Sequence, residues 1–236
     1  MQAPVPSRLL PNSHEASESR PLAGVGLSRM SRRVDVVVRS LADRRAEWSW
    51  FCSGRRGPLP ARAKRALLRD YGRRFGLKTL VETGTYLGDT VAALVHDFSQ
   101  IYSIELAPDL ARRAGERFRA VPHVKIVAGD SATVLPQLLA SVSESSLFWL
   151  DGHYSGGITA RGPIATPVIG ELRAIFAHPI QSHIVLIDDA SWVGTQLTCN
   201  GLDDLLSLIR STRPGWTVEV RDDVIRAHAP SDAILT

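Results

Sequence analysis

At 236 residues and 44% hydrophobic content, the chain can bury the core of one ordinary α/β domain plus an extension, which excludes wholesale disorder. No stretch approaches the roughly 20 consecutive apolar residues of a membrane helix, and Met1–Ser31 lacks a secretory apolar core, so a cytoplasmic, non-membrane protein is expected. Cys52 and Cys199 show neither metal-ligand spacing nor a disulfide framework, in keeping with a reducing compartment.

The net charge of +4 hides an asymmetry. Through Gly76, 16 Lys and Arg face 6 Asp and Glu, a net +10, and the remainder carries −6. A basic arm beside an acidic body fits a nucleic-acid contact. Lys and Arg interleave with aromatics only around Trp48, Trp50 and Phe51, however, so the arm reads as a flap over an acidic cleft and nucleic acid is not the expected partner.

In chain order, residues 1–31 are Pro-, Ser- and Gly-rich without periodicity and read as a flexible basic tail. Residues 32–76 read as a helical arm or lid. A short helix over Arg32–Trp50 is broken by Ser53–Pro58, and a second over Leu59–Phe75 has Leu67, Leu68 and Tyr71 on one side, Arg and Lys on the other, and Gly76 as its stop. Residues 77–236 then alternate apolar runs with helical segments. The pairs are Thr79–Thr83 with Thr90–Asp97, Gln100–Glu105 with Pro108–Phe118, Val124–Ala128 with Ala132–Leu139, Leu147–Asp151 with Pro167–Ala177, and His183–Asp188 with Leu202–Ile209. Such alternation predicts a doubly wound, parallel α/β sheet of the Rossmann-like kind. Trp216–Arg221 and Val224–His228, separated only by Asp222-Asp223, predict an antiparallel hairpin at one edge of a seven-stranded sheet.

Ligands of open α/β sheets bind beyond the carboxyl ends of the strands. The first end, Glu82-Thr-Gly-Thr-Tyr-Leu-Gly-Asp-Thr90, has glycines at 84 and 88 for a tight turn and close approach to a ligand. It is not the G-x-G-x-x-G of a dinucleotide fold, which speaks against a nicotinamide oxidoreductase. A carboxylate at 82 suits a ligand with a cationic centre, such as the amino group of a methionine moiety. At the second end, Glu105 can accept both hydroxyls of a ribose or else cap the next helix. At the third, Asp130 and Ser131 can reach adenine edges, N-cap the helix that follows, or both. The fourth and fifth ends, Asp151-Gly-His153-Tyr154 and Asp188-Asp189, bring three carboxylates to one rim, where mutual repulsion calls for a cation such as Mg²⁺ unless Asp151 and Asp189 serve as caps. His153 is the candidate general base, with orienting a carboxylate or ligating the metal as its other readings. Tyr154 and the lid-like segment through Thr166 shape an acceptor pocket. His123, His178 and His183 read as surface or capping residues, and Trp149 and Trp192 as packing. A non-catalytic binding module would not need polar residues at five strand ends.

With these residues in place, the stretch from Thr79 to His228 resembles class I S-adenosylmethionine (SAM)-dependent methyltransferases, and within them the catechol-type metal-dependent O-methyltransferases. The resemblance rests on Glu82–Thr90 with its Tyr-x-Gly-x-Thr tail, Ile104–Asp109, Val124–Ser131 with Leu135–Leu138, Leu150–His153 and Ile187–Asp189. It implies a SAM-dependent O-methyltransferase with Glu82, Gly84, Thr85, Tyr86, Gly88 and Thr90 around the methionine part, Glu105 on the ribose and Asp130 and Ser131 by adenine. It further implies Asp151, Asp188 and Asp189 at Mg²⁺, a small-molecule hydroxyl acceptor, and a homodimer as one assembly. The family's Asp-Asn pair is Asp188-Asp189 here, and its catalytic lysine after the first metal aspartate has no counterpart, His153 and Tyr154 occupying that stretch. The Asp151–Gly157 segment resembles that of actinobacterial enzymes that modify sugars and polysaccharides, which implies a sugar hydroxyl as acceptor.

Overall fold

Alternating apolar runs bury both faces of a central sheet in the computed structural model, which describes residues 41–152, 167–196 and 201–230. Residues 43–236 form one unit, to which every element below belongs; of the other unit, residues 1–42, only Leu41 and Ala42 are described. Helix α1 runs through residues 43–52. It is followed by α2 (Ala61–Arg74), β1 (Thr79–Thr83), α3 (Asp89–Leu94), β2 (Gln100–Glu105), α4 (Pro108–Phe118), β3 (Val124–Ala128), α5 (Ser131–Leu139) and β4 (Ser146–Leu150). Then come α6 (Val168–Ala177), β5 (Ile184–Ile187), α7 (Ala190–Gln196), α8 (Gly201–Thr212), β6 (Thr217–Arg221) and β7 (Val224–His228). No described helix is long and apolar enough to cross a membrane.

The seven strands lie in the order β3-β2-β1-β4-β5-β7-β6. All neighbours are parallel except β7, which runs antiparallel to both β5 and β6. This is the expected doubly wound sheet with its edge hairpin. Asp222 and Asp223 turn the hairpin with positive φ at both positions, 56° and 63°, the geometry of a tight two-residue turn. Strand order reverses between β1 and β4, the position at whose carboxyl ends open α/β sheets bind ligands.

Alternate residues of each strand face opposite layers. One layer joins Val81, Ile104, Phe148, Leu150, Val185, Ile187 and Ile225 to apolar residues of α5, α6 and α8. The other joins Leu80, Ile101, Leu147, Trp149, Leu186 and Val224 to Leu68, Tyr71 and Phe75. Trp149 is buried in the second layer, as expected, and Trp192 packs partly buried against the first. Helix α7 was not anticipated: Ser191, Gly194 and Thr195 give it a loop-like composition. The expected helix over Arg32–Trp50 lies partly outside the described residues; its described part extends to residue 52.

Candidate active site

The strand ends are level and stitched together. Gly84 N donates to Ile104 O at 2.9 Å, Gly129 N to Glu105 O at 2.8 Å, Asp151 N to Thr83 O at 3.1 Å and Asp188 N to Leu150 O at 3.0 Å. Four loops thus leave one rim, each anchored to its neighbour strand.

The loop after β1 lies hard against β4. Gly84 sits at φ 89°, and a Cβ there would fall 2.4 Å from the Asp151 carbonyl oxygen, so only glycine fits. Glu105, buried at the end of β2, accepts from Tyr86 N through Oε2 (2.7 Å) and from Ala107 N through Oε1 (2.9 Å). One carboxylate therefore fixes the loops after β1 and β2. Tyr86 is held at φ 49° with its ring half exposed.

Glu82 is 1% exposed and faces the layer of Leu80 and Trp149. Ser103 Oγ donates to its Oε2 at 2.5 Å, and Thr85 and Ser103 share a 2.6 Å hydroxyl contact. Burial pushes its carboxyl up to about 8, the nearby charge of Glu105 adding to the rise and hydrogen bonds from Ser103 and Thr90 and the charge of Arg65 opposing it. Beside it, Thr83 Oγ1 is a buried hydroxyl with no hydrogen-bond partner among the described residues. A ligand with a cationic end would satisfy this carboxylate, and Glu105 keeps lone pairs for hydroxyl donors.

Asp130 Oδ1 accepts from Ala132 N at 3.0 Å and N-caps α5, of which Ser131 is the first residue. Capping is therefore its visible role, beside any contact to a base. Gly88 caps α3 at φ 74°, and Thr90 lies one residue into that helix.

On the other side of the reversal stands the carboxylate rim. Trp149 and Asp151, like Leu186 and Asp188, are two residues apart and share the face that α2 covers. Across from them, Lys64 is in helical phase with Leu68, Tyr71 and Phe75 (i, i+4, i+7, i+11) and so points inward rather than lying on a solvated basic side. Its Nζ pairs with Asp188 Oδ2 and lies 3.5 Å from Asp189 Oδ1. Burial alone would lower the Lys64 ammonium, but Asp188, Asp151 and Asp189 hold it above the usual lysine value. Burial raises Asp188 to about 6 against the pull of Lys64, and raises Asp151 well above the carboxylate range. Asp189 is at φ 46°, its N–H donating to Asp188 Oδ1 at 2.9 Å.

The expected Mg²⁺ ligand set does not form among the described residues. No three His, Cys, Asp or Glu side chains are arranged there to hold a metal ion. A lysine lies where three carboxylates call for a cation, so the residues do not fit a metal as they stand. His153 and Tyr154 lie outside the described residues.

Among solved structures, the methyltransferase PaMTH1 of Podospora anserina, bound to SAH, is similar at TM-score 0.53 and 18% identity, over 91% of this chain and 100% of that one. The O-methyltransferase TomG of Streptomyces achromogenes, involved in tomaymycin synthesis and solved with SAM, gives 0.54 at 15% identity over 84% of this chain and 96% of its own. An O-methyltransferase of Bacillus cereus in complex with SAH gives 0.54 at 11% identity over 79% and 90%. The chain has a methyltransferase fold. No family profile matches the sequence, and no curated protein does.

On this methyltransferase fold the sequence-derived residues fall into two groups along one rim, the Glu82–Glu105 loops and the Asp151–Asp188–Asp189 carboxylates. Reading the sequence missed Lys64, Ser103 and Thr83. Lys64 had a signal, its phase with the apolar stripe of α2; Ser103 and Thr83 had none beyond strand position. Of its two expected roles, surface or capping, the first is corrected for His183, which is 1% exposed. It packs edge-on against Phe148, accepts from Ser146 N at 3.2 Å and contacts His178 Nδ1 at 2.9 Å. Burial, with the charges of His178 and Arg213, lowers its imidazole to about 4. His123 and His178, as expected, bond loop and helix-end carbonyls, those of Val95 and Leu139.

Proposed function

We propose that this chain is a SAM-dependent O-methyltransferase that methylates a hydroxyl of a small molecule. Glu82 carries the reading: a carboxylate buried at the carboxyl end of β1 and pushed up by burial, beside a glycine turn packed against the loop after β4. The methyltransferase fold, and the O-methyltransferases among the similar structures, support it.

When bound, SAM supplies an electrophilic methyl group on a sulfonium. The chain grips its two ends, Glu82 taking the ammonium and Glu105 the ribose hydroxyls, with Gly84, Thr85, Tyr86, Gly88 and Thr90 shaping the methionine side and Asp130 and Ser131 the adenine side. The acceptor hydroxyl would be oriented at the rim by Asp151, with Tyr154 assigned to the acceptor side from the sequence alone. With SAM bound, His153 would take the hydroxyl proton while the methyl's bond to sulfur breaks and its bond to the acceptor oxygen forms in line, leaving S-adenosylhomocysteine. Mg²⁺, implied by the catechol-type resemblance, would have to displace Lys64 to reach Asp188, so no step is assigned to it.

The resemblance of the Asp151–Gly157 segment to sugar-modifying enzymes, including the 1-O-methyltransferase of mycobacterial methylmannose polysaccharide, supports a mannoside or related sugar as acceptor in polysaccharide biosynthesis. A homodimer and a cytoplasmic location complete the reading. Incubation with labelled methyl donor and a panel of mannosides, other sugars, catechols and RNA tests it. Label in a sugar, lost in His153→Ala, is expected; label in RNA alone, or in nothing, would refute it.

A further inference from the structure

We propose that Lys64 is the resident cation of the carboxylate rim, its ammonium standing in for a divalent metal so that Asp151, Asp188 and Asp189 are held together without one. The inference builds on the rim as the acceptor side of the proposed methyltransferase site. Its test reads cation binding and not turnover, so either can fail without the other.

Three observations carry it. The first is geometric: Lys64 Nζ pairs with Asp188 and lies 3.5 Å from Asp189, so the ammonium occupies the position from which a cation serves both carboxylates. The second is positional. Lys64 is fixed by its own helix, since Leu68, Tyr71 and Phe75 in the same phase are 0%, 4% and 3% exposed and pin that face of α2 to the sheet. The Lys64 side chain is itself only 19% exposed and the Asp188 side chain 0%, which marks a built-in pair rather than a surface contact. The third is charge balance. Three carboxylates on adjacent strand ends repel unless compensated, and the Lys64 ammonium is the cation seated against Asp188 and Asp189.

Lys64 acts here as a positioning residue. It keeps Asp188 and Asp189 in place beside Asp151, and it blocks entry of a divalent ion by occupying the site and cancelling its charge. Removing the ammonium while keeping the stem should then create the metal site that the wild type lacks.

The test is Mn²⁺ titration of the full-length protein, followed by electron paramagnetic resonance and by thermal melting. Wild type and Lys64→Arg are expected to leave Mn²⁺ essentially free and to melt identically in Mg²⁺ and in chelator. Lys64→Met is expected to bind one Mn²⁺ at least about tenfold more tightly than wild type, and to melt higher with Mg²⁺ than with chelator. Recovery of an otherwise unfolded Lys64→Met by Mg²⁺ supports the proposal equally. Stoichiometric Mn²⁺ binding by the wild type overturns it whether or not the variant folds. A folded Lys64→Met that binds Mn²⁺ no better than wild type overturns it as well.

Discussion

Ser103 Oγ donates to Glu82 Oε2 at 2.5 Å, so the residue opposite Glu82 on β2 supplies a hydroxyl and not a charge. A buried carboxylate answered by hydroxyls keeps its proton near neutrality, and burial puts Glu82 at about 8. The arrangement is poised for a cation that arrives from outside.

The proposed pairing of Glu82 with the ligand's ammonium predicts that binding of SAM or S-adenosylhomocysteine is coupled to proton loss from Glu82. The free protein is mostly protonated there at pH 7 and the complex is not, so close to ~1 proton is released per ligand bound. Affinity rises with pH up to about 8 and levels off above it. Calorimetry in two buffers of different ionisation enthalpy measures the release, and a value near zero would remove Glu82 from the ligand site.

The same shift costs the free protein stability. Because the folded pKa exceeds the unfolded one, Glu82 favours the native state below about 4.5, and that contribution is lost as pH rises through about 8. Glu82→Gln should raise stability at pH 8 by on the order of 1–2 kcal/mol while weakening ligand binding. Urea unfolding at pH 5 and pH 8 checks both the sign and its pH dependence; a variant less stable than wild type at pH 8 contradicts the reading.

Gly84→Ala forces a Cβ to within 2.4 Å of the Asp151 carbonyl at a φ of 89°. Backbone cannot yield as a side-chain end can, so the loop after β1 must lift from β4. A loss of about 2–4 kcal/mol is expected, together with weaker ligand binding. A melting temperature within a degree of wild type would show that the loop is not clamped there.

His183 is expected to weaken the fold in acid. Its folded pKa of about 4 lies below the unfolded 6.5, so stability is full above pH 6.5 and falls as the pH drops toward 4, by up to about 3 kcal/mol. His183→Gln should start less stable at pH 7 but lose less between pH 7 and pH 4.5. Parallel losses in both proteins would assign acid sensitivity to other groups.

Much of this was legible before folding. Residues that end a strand are readable once apolar runs are located, and a two-glycine turn beside Glu82 marks a close approach whatever occupies it. Glu105 was legible as a site residue, but its use of both oxygens to pin Tyr86 and Ala107 was not, because that depends on how two loops meet. Of the two roles its residue type and position suggest, Asp130 shows capping. Lys64 escaped because an amphipathic helix is read by its apolar residues, with lysines assigned to water by default. Only the level ends of β4 and β5 reveal that a lysine in phase with Leu68 must face Asp188. His183 escaped for a related reason: it begins a strand in sequence, yet neighbouring elements bury that strand's start.

The most direct measurement is calorimetric titration of the wild-type protein and Glu82→Gln with S-adenosylhomocysteine at pH 8. One molecule bound per chain, weakened at least about tenfold by the substitution, is the predicted result. Equal affinity in the two proteins, or no binding to wild type up to about one millimolar, would contradict the placement of the ligand between Glu82 and Glu105.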